Sequence, residues 1–161
     1  MNATPVDAIQ AIQAMLAPAV AISAVGLLLL GMSNRYSAII NRIRLLNDEK
    51  RKYLKMIADH RELAYTDNVR FMSVRSQTDE LMVRSRYVRN GILSMQLAIG
   101  MFVLTSVAIG INLFASSDLL RAVPLVIFVA GMIGLVIGIA FAALEVRRSY
   151  RIVLIEVKAD E

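Results

Sequence analysis

The sequence predicts an all-α integral membrane protein, with three transmembrane helices and a long, coiled-coil-like cytoplasmic helical hairpin. Three observations carry that reading. The 161 residues are 57% hydrophobic and only 19% charged, whereas a soluble domain is about 45–50% apolar and about 25% charged. Residues 8–34, 90–117 and 122–144 contain no Lys, Arg, Asp, Glu or His, and each tract exceeds the roughly 20 residues that cross a bilayer core. Between residues 34 and 90, apolar residues recur at alternating spacings of three and four without a Gly or Pro, which is the signature of paired helices.

The first element is a transmembrane helix over 8–33. Thr4 suits a helix cap, Pro5 the first helical position and Asp7 the positive end of the dipole. A cleavable leader is disfavoured, because the first 34 residues hold no Lys or Arg. Pro18 lies inside the tract and removes one backbone hydrogen bond, so it is expected to face protein or water rather than lipid. Ala14, Ala17, Ala21, Ala24 and Gly31 share one helical stripe, interrupted by Leu28. Small residues there allow close helix approach, or line a narrow pore. Ser23 is the hydroxyl near mid-membrane. Asn34-Arg35-Tyr36 closes the helix, with Arg35 reaching the phosphates or standing in a cytoplasmic vestibule.

The hairpin occupies 34–90. Its first seam is Tyr36, Ile39, Ile43, Leu46, Lys50, Tyr53 and Ile57; its second is Phe71, Val74, Thr78, Leu81, Ser85, Val88, Ile92 and Met95. Asp48/Lys52 and Glu80/Arg84 stand at favourable i,i+4 spacing. One helix across the segment would separate its ends by roughly 80 Å, yet both ends meet the same membrane face. The chain must therefore reverse, and the polar gap at 60–68 is the place for the turn.

The second transmembrane helix is placed at 91–115 and a short turn at 116–121. The third is placed at 122–144, beginning near Pro124. Gly134 and Gly138 form a GxxxG spacing, which favours close packing. Gln96, Thr105 and Asn112 are neutral polar residues inside the tracts and candidate interhelical contacts. Thr105, like Ser23, can instead bond its own helix backbone, whereas Gln96 and Asn112 are to be met by each other, another subunit or water. A C-terminal helix is expected over 145–161, although Ile152–Ile155 also suits a strand. Glu145 is placed to pair with Arg148 or, across helices, with Arg35.

Charge sets the expected orientation. Residues 35–89 hold thirteen bases against seven acids, and positive charge stays in the cytoplasm. The N-terminus is thus outside and the C-terminus cytoplasmic. The net charge of +5 then reflects topology rather than nucleic-acid binding, and anionic lipid headgroups are its expected partner.

Chemistry is sparse. The chain has no Cys and one His, His60, and shows no phosphate-binding loop or hydrolase motif. Asp59, Glu62 and Asp67 near the turn read as a solvated surface rather than a cation site. No catalytic residue, metal ligand or cofactor is expected, and the chain is not read as an enzyme. No ionisable residue lies within a tract, which argues against proton relays and voltage sensors.

The segments Leu16-Ala17-Pro18-Ala19, Ile22-Ser23-Ala24, Gly26–Gly31 and Asn34-Arg35-Tyr36 resemble a family of small three-helix bacterial membrane proteins classed as a domain of unknown function. The resemblance implies a bacterial inner-membrane setting and this layout; it lends no binding or catalytic residues. Two functions remain. One is a homo-oligomeric pore with a basic vestibule, marked by Ser23 and Arg35. The other is a non-conducting scaffold whose hairpin binds a cytoplasmic protein.

Overall fold

A computed structural model of the chain consists, in its described residues, of three long helices and no strand. It describes 8–58, 65–112 and 118–159, with side chains at 9–10, 12–58, 67–112 and 122–147. The helices are α1 (Ala8–Ala58), α2 (Tyr65–Asn112) and α3 (Asp118–Ala159). Each contains an apolar stretch long enough to cross a membrane.

Each helix runs past its charge-free tract without interruption. α1 carries its apolar period into the polar arm, and α2 does the reverse. The cap at 4–7, the carboxylates Asp59 and Glu62, His60 and the loop at 113–117 lie outside the described residues. Two boundaries differ from expectation. α2 begins at Tyr65 with Asp67 in its first turn, where a carboxylate meets the positive end of the dipole; the turn thus excludes 65–68. α3 begins at Asp118, so Pro124 is interior. Pro124 is the seventh residue of the helix, past the first turn, so it forgoes a backbone bond to the carbonyl four residues back. Beyond Leu144 the backbone stays helical to Ala159, with no strand at 152–155.

α2 is the central element. α1 and α3 both pack along it and scarcely touch each other, leaving an open layer of three helices. The α1–α2 seam repeats every seven residues. Every three-then-four step of α1 from Met15 to Tyr53 is buried or half-buried, as is every matching step of α2 from Phe71 to Ile109. The register is antiparallel. Tyr53 stacks edge-on against Phe71 with centroids 6.2 Å apart, and a Cβ on Gly91 would lie 2.7 Å from Met32 Cε.

Within this seam Val25, Val74 and Val88 are completely buried and Leu46 is nearly so. Pro18 is also fully buried, so the kink-prone turn faces protein. Lys50 is half-buried, its aliphatic stem covering the seam. Ile57, placed on the seam by spacing, is 45% exposed, because it lies at the very end of the overlap with α2. Outside the tracts, Arg70 Nε donates to Glu49 Oε1 at 2.8 Å and holds that carboxyl below its usual range.

The register sets Ile43 opposite Leu81. Replacing either by Asp puts an unpaired carboxylate in an apolar seam. Both variants are expected to lose thermal stability in detergent by about 2–4 kcal/mol; wild-type melting would show that the arms are not packed against each other.

Candidate functional site: a three-helix ion cluster at the membrane edge

α2 has a second seam, one position behind the first. Arg84, Tyr87, Gly91, Ser94, Ala98, Met101 and Thr105 are all buried or half-buried there. α3 answers with Gly131, Gly134, Gly138 and Phe141. A Cβ on Gly138 would lie 3.2 Å from the Gly91 carbonyl oxygen and 2.8 Å from Met95 Cγ. A Cβ on Gly131 would strike the Phe102 ring at 2.8 Å. The small residues let the backbones approach, which strengthens dispersion contacts where lipid gives no hydrophobic drive. Gly134 and Gly138 therefore face α2 within the protomer.

At the polar end this seam closes on charge. Glu145 is 2% exposed, although it is the first residue beyond the third tract. Arg84 Nε donates to its Oε1 at 2.5 Å, and Arg35 Nη1 stands 3.5 Å from its Oε2. One carboxylate thus holds an arginine from each of the other two helices. Burying a lone carboxylate costs several kcal/mol, and the guanidinium donors supply the compensation. Since α1 and α3 meet little elsewhere, Arg35–Glu145 is a principal tie between them. It is one of the two pairings set out for Glu145; the Arg148 side chain lies outside the described residues. Arg84, read from the sequence as partner of Glu80, turns to Glu145 instead. The spacing carries a signal for this: Arg84, Gly91 and Ala98 stand seven apart on one face.

The polar membrane residues take different environments. Thr105 is buried in the α2–α3 seam and donates to the Met101 carbonyl at 2.9 Å. Ser23 is exposed and donates to the Ala19 carbonyl at 3.2 Å. Gln96 is exposed. Asn112 is half-buried and has a bonding partner. Gln96 and Asn112 lie on one helix about 24 Å apart along its axis, so they do not meet within a protomer.

Ala17 is exposed and Ala21 half-buried. The stripe they belong to continues to Arg35, hence toward the α3 side. Ser23 and Arg35 are separated by twelve positions, roughly 120° around the helix, and do not share a face. Among the described residues no group of His, Cys, Asp or Glu forms a metal site.

A family model described as protein of unknown function (DUF2721) matches residues 15–155. The chain belongs to that family. No curated protein and no solved structure matches it.

Proposed function

We propose that this protein forms a homo-oligomeric, channel-like assembly in a bacterial inner membrane. In this reading the N-terminus is outside. The arms of α1 and α2 form a coiled-coil-like hairpin on the cytoplasmic side, where their excess of arginine and lysine makes a basic vestibule. The observation that carries the proposal is the exposure of Gln96 within an uncharged tract, on a protomer that is an open layer. An amide facing hydrocarbon costs free energy, and a second copy or a water-filled path removes that cost. The glycine groove of α3 is already occupied by α2. The Ala14–Gly31 stripe is therefore the close-packing face left for a neighbouring copy, and closed symmetry is the common arrangement of homo-oligomers.

Native mass spectrometry in mild detergent, followed by planar-bilayer recording, tests this. The expected result is a discrete oligomer with unitary currents; a monomeric mass overturns it. A silent oligomer favours the second reading, a scaffold that binds a cytoplasmic protein. That reading has its own support in Leu45 and Met72, which are 63% and 67% exposed and lie outside the apolar tracts.

A further inference from the structure

We propose that the face of the α1–α2 pair turned away from α3 is the wetted wall of the assembly. Gln96 and Ser23 are its intramembrane lining and Arg89 is the charge at its inner mouth. This inference rests on the channel-like reading and names its surface.

The two seams define the faces. On α2 the residues one position before the α1 seam, Arg84, Gly91 and Ala98, meet α3. On α1 the equivalent residue is Arg35, one position before the seam residue Tyr36, and it reaches Glu145 of α3. Residues one position after the seam therefore face away from α3 on both helices. On α1 these include Ser23, Ser33 and Ser37; on α2 they include Arg89 and Gln96.

The two sides differ in chemistry. The α3-ward side of α1 within the tract is Ala14, Ala17, Ala21, Ala24, Leu28 and Gly31, with no hydroxyl or amide. Its terminal Arg35 is engaged by Glu145. The opposite side carries Ser23 and Ser33 on α1 and the exposed amide of Gln96 on α2, with Ser37 just beyond the tract. They are set among exposed aliphatics such as Leu30, Leu93 and Val103. The hydroxyls of α2 on its α3-ward side, Ser94 and Thr105, are covered by α3. The opposite side ends at Arg89, which is exposed and seven positions before Gln96 on the same helical face. A hydroxyl such as Ser23 satisfies itself on its own helix. Gln96 has two donors and an acceptor, too many for one backbone carbonyl, and points to water or to the same residue in another copy. A ring of such amides is a neutral constriction, and a ring of Arg89 beneath it raises the local anion concentration.

The chain has no native cysteine, so single substitutions report cleanly. Ser23→Cys, Gln96→Cys, Ala17→Cys, Ala24→Cys and the control Leu104→Cys are treated with a charged, water-soluble thiosulfonate in liposomes. Leu104 lies midway between seam residues Phe102 and Ser106, and so on the side of α2 opposite α1. Only a hydrated thiol ionises and reacts. Reaction at 23 and 96 is expected to be at least about tenfold faster than at 17, 24 and 104. Ser23→Cys is nearly isosteric and keeps the test valid if Gln96→Cys disturbs folding. Fast labelling at 17 and 24 with protection at 23 and 96 overturns this wall and leaves the channel reading intact. Protection at every position also overturns this wall, while planar-bilayer recording of the same protein decides the channel reading separately.

Discussion

Replacing Arg84 by Met is expected to lower stability by about 2 kcal/mol, below the roughly 3–5 kcal/mol for stripping one partner from a fully buried pair, because Arg84 is itself 35% exposed and partly screened. Glu145 would keep only the 3.5 Å contact to Arg35 while remaining 2% exposed. Arg35→Met is expected to cost less, about 1 kcal/mol or below, because that side chain is 57% exposed and its contact is long. The double variant Arg84→Met/Glu145→Leu removes both charges and is expected to recover most of the loss, since an apolar pair of similar volume avoids the desolvation penalty. Melting curves of the singles and the double form a double-mutant cycle. Additive losses would mean that Arg84 and Glu145 do not act as a pair. Under the channel-like reading, a stable double variant with altered currents would place the cluster in function as well as in folding, because it releases the tie between α1 and α3 at this level.

The helices are legible in the sequence because two independent signals coincide there. Absence of charge marks the three tracts, and the seven-residue period marks the contacts between α1 and α2. Ile43, Leu46, Val74 and Val88 are buried where that period puts them. Less legible is how far the period extends: in the membrane nearly every residue is apolar, so Met15, Val25 and Phe102 give no contrast with their lipid-facing neighbours. The α2–α3 seam is hidden for a related reason. It is built from small residues, and a small residue marks either a contact or nothing. The i,i+4 rule misassigns Arg84 because it treats a helix in isolation. A carboxylate on the same exposed face, Glu80, is worth a few tenths of a kcal/mol, whereas a buried one across the seam is worth more. Ser23 and Arg35 stand roughly 120° apart around α1, a separation that the spacing contains but that acquires meaning only once the position of α3 is known.

The GxxxG spacing in α3 is not symmetric in what it demands. Gly138→Ala is expected to destabilise the protein by about 1–3 kcal/mol, the range for overpacking a close contact. The new methyl would lie 3.2 Å from the Gly91 carbonyl oxygen, which is backbone, and 2.8 Å from Met95 Cγ, which is held in the core. Neither yields without moving α3 away from α2. Moving it also lengthens the reach from Arg84 to Glu145, one seven-residue step along the same seam, so the ion cluster weakens with the packing. Gly134→Ala is expected to be neutral or slightly stabilising. Its Cβ would meet Ala98 Cβ at 3.6 Å and the Ser94 carbonyl oxygen at 3.7 Å, ordinary van der Waals distances, and Ala is the better helix former by about 1 kcal/mol. Thermal melting of the two variants in the same detergent decides the matter. Equal losses at both positions would mean that the helices approach more closely at Gly134 than this geometry allows; no loss at either would mean that α2 and α3 are not held by the Gly91–Gly138 crossing.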